Sequence, residues 1–240
     1  MKEKKKICWL SAGVSSFIAG YLERDTIDEY IYMDIDDQHE DSMRFMKDCE
    51  KALGKPITIL KSEYGSVENV IRTAGMIKNP RTQFAPCTNW LKKRIRKEWE
   101  LMHPDWELTY VWGMDYDEKD RAEKLCEANP DYTHEFPLID KMLTKQDAHA
   151  ILDRLGIQRP KMYDLGYHNN NCIGCIKGGM GYWNKIRVDF PEIFEKRAKL
   201  ERDIGASILK DCYLDELDPH RGRIEDEISQ DCGVLCYLNL

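Results

Sequence analysis

Four short apolar runs, residues 6–10 (KICWL), 29–34 (EYIYMD), 57–61 (ITILK) and 108–112 (LTYVW), alternate with segments of helical periodicity. No other feature constrains the fold as tightly. Parallel strands cannot be joined by a tight turn and need a crossover, usually a helix, so this alternation predicts an α/β fold with a parallel twisted sheet flanked by helices. Helices are predicted over 15–24, over 41–53 with Gly54 and Pro56 as the stop, from a Ser66 cap to Ile77, and from a Thr88 cap through Met102. Beyond residue 112 the strand signals fade. A helix from Thr144 to Leu155 stops at Gly156, and Pro191 opens a long helix to about Lys210.

A chain of 240 residues accommodates one large domain with an appendage. The expected division is an α/β body over residues 1–140 and a helical, cysteine-bearing remainder over 141–240. Apolar residues at 42% and charged residues at 33% exclude a disordered chain, a fibre and a membrane bundle. No run approaches the roughly 20 apolar residues of a membrane span. Lys2, Lys4, Lys5 and Lys6 ahead of an apolar stretch imitate a secretion signal, but Ser11, Gly13, Ser15 and Ser16 interrupt it and a charged ERD follows. A cytoplasmic protein is expected. The net charge of -7 gives a nucleic-acid substrate no support beyond a local basic patch. Nine cysteines, an odd number in a chain too long for a small disulfide scaffold, point to a reducing compartment with a metal or redox site.

The turn 11–16 (SAGVSS) falls between the first strand and the first helix. Small residues let backbone N–H groups approach an anion, the helix N-terminus adds the positive end of its dipole, and serine hydroxyls add donors. Close strand-to-helix packing explains the same residues without a ligand. Asp34 ends the second strand and Asp36 and Asp37 follow it, where parallel sheets bind ligands, with a solvated acidic turn as the plain alternative. The fourth strand runs into Gly113. Glu118 and Arg121, three residues apart, form a helical ion pair or present the guanidinium to an anion.

In the helix at 88–102, Trp90, Leu91, Ile95, Trp99 and Met102 make a core-facing stripe, leaving Lys92, Lys93, Arg94, Arg96 and Lys97 as a solvated face. Cys172 and Cys175 form a C-x-x-C motif in which Gly174 permits a tight turn. Cys232 and Cys236 lie in the tail DCGVLC, and Cys87 opens CTNWLKK. Cys8, Cys49, Cys126 and Cys212 sit in apolar patterns and read as small core residues.

Taken together, these segments resemble the phosphoadenylyl sulfate (PAPS) reductase branch of the PP-loop, or adenine nucleotide alpha hydrolase, superfamily. The turn 11–16 resembles its S-G-G-x-D-S pyrophosphate loop, with Ala12 at the second position and Ser15 where the pattern has aspartate. Residues 113–121 resemble its G-x-x-x-x-E-x-x-R element, and Lys92 keeps the Cys-x-x-x-x-Lys spacing from Cys87. The resemblance implies a HUP-like α/β body and phosphate binding by Ser11, Ala12, Gly13, Val14, Ser15 and Ser16. Asp34 and Asp36 would meet the adenine and ribose. The turn at Gly113, with Glu118 beyond it, would admit the nucleotide, and Arg121 and Lys92 would face its anionic end.

The resemblance also implies a cofactor. In adenylyl sulfate reductases a Cys-Cys pair and a distant C-x-x-C hold a [4Fe-4S] cluster, and Cys87, Cys172 and Cys175 match that layout with Thr88 in place of the second cysteine. Three thiolates would leave one iron open. With Cys232 or Cys236 as fourth ligand the site would take zinc or an iron-sulfur cluster. Asp231-Cys232-Gly233 is similar to the tail motif that delivers the attacking cysteine, so Cys232 would cleave an adenylylated sulfate and a thiol reductant protein would reset it. The other chemistry is ATP-dependent adenylylation of an acceptor with Mg²⁺, followed by sulfur transfer. The expected ligand is ATP, PAPS or adenylyl sulfate (APS), and a homodimer is admitted. A nonenzymatic, metal-stapled nucleotide sensor or assembly subunit is the rival from another class.

Overall fold

Residues 7–10 are buried in full, as a strand covered by helices on both faces must be. They belong to β1 (Glu3–Leu10), followed by α1 (Val14–Leu22), β2 (Glu29–Asp34), α2 (Asp41–Leu53), β3 (Ile57–Lys61) and α3 (Val67–Ala74). Next come a short α4 (Pro86–Thr88), a π-helical turn (Asn89–Lys93), α5 (Arg94–Leu101), β4 (Trp106–Val111), α6 (Lys119–Ala128) and β5 (Thr133–Glu135). The remainder is helical: α7 (Pro137–Asp140), α8 (Lys145–Arg154), α9 (Lys161–Asp164), α10 (Met180–Asp189) and α11 (Pro191–Ile204). This computed structural model describes residues 2–79, 81–82 and 84–226.

Among the described residues five strands form one all-parallel sheet in the order β3-β2-β1-β4-β5. Its two faces split the residues of each strand by the two-residue period. Cys8, Leu10, Tyr30 and Tyr32 pack under α1, α2 and α8 with Phe17, Phe45, Cys49 and Leu152. Ile7, Trp9, Ile31 and Tyr110 point the other way, onto Trp99 of α5 and Leu125 of α6. A third core joins α3, α10 and α11 around Ile71, Trp183, Ile186 and Leu200. No helix among the described residues is long and apolar enough to cross a membrane.

Several boundaries moved from their sequence positions for local reasons. β1 begins at Glu3 because β4 pairs with its polar end, from Glu3 opposite Trp106 to Lys6 opposite Thr109. Ser66 does cap α3, accepting from the Asn69 N–H at 3.1 Å, but Gly75 at φ 63 ends that helix before Ile77. Gly205 at φ 74 stops α11 at Ile204 in the same way, short of Lys210. Pro86, with its preset φ, opens the next helical segment, so Thr88 lies inside it and is not its cap. The π turn that follows has a wider repeat than an α-helix and rotates the predicted stripe. Leu91 and Trp99 stay buried, while Met102 is 67% exposed and Arg96 is buried against Glu100 at 3.2 Å. β5 escaped the sequence reading because its Thr-His-Glu carries no apolar pattern. Cys8 and Cys49 are core residues, whereas Cys126 and Cys212 are only half-buried.

Candidate functional site

The chain leaves β1 toward β2 and later comes back on its other side as β4, so the loops after β1 and β4 diverge from one point at the carboxyl ends of the strands. Residues 11–13 follow β1 at that point. Ala12 is held in the left-handed region at φ 58, where a Cβ is costly, and is fully buried. Gly13 then becomes the N-cap of α1 in extended backbone and makes no side-chain cap, while its own N–H donates to the Ser11 hydroxyl at 3.3 Å. Ser16 braces the turn, donating to the Gly13 carbonyl at 2.9 Å and accepting from the Ser11 N–H at 3.1 Å. The buried Ser15, where the pyrophosphate pattern has aspartate, makes no side-chain hydrogen bond among the described residues.

Two later residues, which the sequence reading did not single out, close over this loop. The Val14 N–H meets the Tyr163 hydroxyl at 3.4 Å. The Asn170 amide donates to the Ala12 carbonyl at 2.8 Å and to the Ser42 hydroxyl at 3.0 Å. The run of three asparagines at 169–171 was the available signal for Asn170, whereas nothing in the sequence marks Tyr163.

After β4, Gly113 crosses the start of α1, and a Cβ there would stand 2.3 Å from Ser16 Cα and 2.5 Å from its nitrogen. Contact with Ser16 is by itself enough to require glycine. Asp115 caps the next turn, accepting from the Asp117 N–H at 3.2 Å, and burial holds its carboxyl above the usual carboxylate range. Glu118 and Arg121 are ion-paired, and the charges of both Arg121 and Lys145 reach Asp115. A cavity of about 770 Å³ opens beside this loop, lined by Asp117, Lys145, His149, Arg159, Tyr163 and Tyr167 among others. That volume lies in the range of small-molecule and cofactor pockets. Burial holds the His149 imidazole below its ordinary pKa, with Arg159 and Lys145 adding to the effect.

The acidic turn after β2 is partly neutralised. Lys61 pairs with Asp36 at 2.5 Å and with Asp34 at 3.4 Å. Tyr32, in the same strand, feels the charges of Asp34, Cys172 and Lys92. Burial raises that phenol well above its ordinary value.

Cys87 and Cys172 are buried in the third core, and Cys175 is half-buried. Gly174 turns the C-x-x-C loop at φ 70, and the Tyr182 hydroxyl closes it, accepting from the Cys175 N–H at 2.9 Å and donating to the Cys172 carbonyl at 3.1 Å. Among the described residues no group of three or more His, Cys, Asp or Glu side chains could hold a metal ion. Cys87, Cys172 and Cys175 are not gathered into such a group among those residues. Cys232 and Cys236, the expected attacking thiol and fourth ligand, lie outside the described residues.

No family model matches the chain, and no curated protein matches it. Among solved structures, the chain is similar to phosphoadenylyl-sulfate (PAPS) reductase from Candida auris in its phosphate complex, with a TM-score of 0.52 and 11% sequence identity. The match covers 73% of this chain and 83% of that one. The likeness is one of fold: the parallel sheet flanked by helices expected from the sequence is the PAPS-reductase-like architecture.

Proposed function

We propose that the chain is a PAPS-reductase-like enzyme that binds an adenine nucleotide, ATP or an adenylylated sulfate, at the carboxyl ends of β1 and β4 and uses it for sulfur chemistry. One observation carries the reading: the strained, small-residue turn 11–16 enters α1 at the switch point of the sheet, with the Gly113 loop packed against Ser16. Backbone N–H groups aimed along a helix start, at the point where strand order reverses, suit a phosphate or pyrophosphate. Likeness of fold to a PAPS reductase solved as a phosphate complex supports a phosphate-bearing ligand.

In this reading the Ser15 N–H and the hydroxyls of Ser11 and Ser15 hold the phosphates, joined by the Gly13 and Val14 N–H groups as these exchange the Ser11 and Tyr163 hydroxyls for the ligand. Arg121 and Lys145, whose charges act on Asp115 in the loop after β4, and Lys92 supply the cations for the anionic end. Ser15 supplies a hydroxyl where a carboxylate would help bind Mg²⁺, which favours an adenylylated sulfate over Mg-ATP. Two reactions fit such a site: attack of the Cys232 thiolate on the sulfonyl sulfur, which releases the adenosine phosphate and leaves a Cys232 thiosulfonate that a second, external thiol converts to sulfite and a disulfide; and attack of an acceptor oxygen on the α-phosphate of ATP, which adenylylates the acceptor and releases pyrophosphate.

Calorimetric titration of PAPS, APS and ATP, the last with and without Mg²⁺, tests the reading on wild type and Ser15→Asp. We expect wild type to bind at least one of these nucleotides in the micromolar range, and Ser15→Asp to make ATP binding depend on Mg²⁺. Absence of binding by all three overturns the reading. Release of sulfite from PAPS or APS with a thiol present, abolished by Cys232→Ser, marks the reductase. Release of pyrophosphate from ATP marks the transferase.

A further inference from the structure

Asp37 is the junction of four chain segments. Its side chain is almost wholly buried, and both carboxylate oxygens and the backbone carbonyl are engaged. One carboxylate oxygen takes the Arg197 guanidinium and the other the Val67 N–H at the start of α3 at 2.6 Å. The carbonyl takes the Ile173 N–H at 2.7 Å. Arg197, itself 3% exposed, reaches past Asp37 to donate through Nε to the Gly174 carbonyl at 3.3 Å. The acidic turn after β2 and the C-x-x-C loop are thus held together by one buried ion pair and two backbone contacts.

Arg197 suits this role for a physical reason. A guanidinium presents a rigid fork of donors, so one side chain fixes the carboxylate and the loop carbonyl in a single geometry. The remaining charge of the fork faces Glu68 at 3.9 Å, and Arg72 pairs with that same carboxylate at 2.8 Å. Asp36, next in the chain, is anchored separately, with its N–H on the Gly65 carbonyl at 3.0 Å. A ligand that stiffens or shifts the turn at 34–37 therefore acts on the loop at 172–175 through Asp37.

We infer that Asp37 and Arg197 are positioning residues that couple the turn after β2, where Asp34 and Asp36 are expected to meet the adenine and ribose, to the C-x-x-C loop, so that an adenine nucleotide at the strand ends orders the backbone around Cys172 and Cys175. The inference rests on the nucleotide reading above. It adds that the two cysteines respond to occupancy of a site they do not themselves form.

Hydrogen exchange read by mass spectrometry on the full chain, with and without saturating PAPS or ATP, tests it. Nucleotide is expected to slow exchange in peptides covering 11–16, and to slow it at least about fivefold in peptides covering 170–176, the lower end of ordinary coupling between sites. Arg197→Lys keeps the charge and loses the fork, and is expected to keep protection at 11–16 while losing it at 170–176. Asp37→Asn, which keeps the shape and the Val67 contact, should behave alike and serves if Arg197→Lys does not fold. Protection at 11–16 with no change at 170–176 in wild type overturns the coupling and leaves the nucleotide reading standing. Variants that retain the response at 170–176 overturn the assignment to this pair. Protection at neither segment, with no binding in the titration, overturns the nucleotide reading and the coupling with it.

Discussion

The Asn170 side-chain amide donates to the Ala12 carbonyl at 2.8 Å across 158 positions of sequence. The residue held at φ 58 in the turn after β1 is thus fastened from the C-terminal half of the chain, and the strain is offset by a buried hydrogen bond. Asn170→Ala removes the donor from a buried carbonyl and is expected to cost about 1–3 kcal/mol of stability. Urea denaturation measures that loss. Titration with PAPS and ATP should show weaker binding in the same variant, because the turn is no longer held in its strained form.

Gly113 offers a sharper test of the same site. A Cβ at 2.3 Å from Ser16 Cα meets backbone, which cannot rotate away, so Gly113→Ala forces the loop after β4 off the start of α1. Overpacking of this kind costs typically about 1–3 kcal/mol. The expected outcome is a lower melting temperature together with loss of nucleotide affinity, both read on one preparation by calorimetry.

His134 gives the fold a pH dependence. Trp112 donates its indole N–H to His134 Nδ1 at 3.0 Å, so the proton sits on Nε2 and is donated to the Asn129 carbonyl at 2.9 Å. Burial holds this imidazole below its ordinary pKa, which means the folded state favours the neutral ring. For a base with a depressed folded value, the stabilisation is present above the unfolded pKa and is lost as pH falls through the folded one. Stability should therefore drop as pH falls below about 6.5. His134→Gln, which does not titrate there, should flatten that part of the curve in denaturant melts taken across the range.

Metal content can be separated by where the chain ends. No three donor side chains converge to hold a metal ion among the described residues, so a chain cut after residue 226 is expected to hold neither zinc nor iron in stoichiometric amount. Metal analysis with sulfide determination, after anaerobic purification, checks this. One metal per truncated chain would show that Cys87, Cys172 and Cys175 rearrange into a ligand set without Cys232 or Cys236.

What the sequence determined by itself was the sheet and its helices. Apolar runs such as 57–61 and an amphipathic segment such as 41–53 are set by local periodicity and by stop signals like Gly54, and both elements appear with those same bounds. The turn 11–16 was legible for the same reason, as a run of small residues between a strand and a helix. β5 was not, because three polar residues become a strand only when β4 offers them a free edge. Met102 came out exposed because a π turn changes the helical phase, and that depends on how Pro86 and the core seat the segment.

Only the tertiary structure decided the surroundings of the candidate site. Tyr163 reaches Val14, Asn170 reaches Ala12, and Arg197 joins Asp37 to Gly174. Each contact joins residues far apart in the chain, and none alters the local pattern at either end. Periodicity and capping report which face of a segment is buried. They carry no record of which distant donor satisfies a buried carbonyl or carboxylate, because that partner is chosen when the helices close over the ends of the strands.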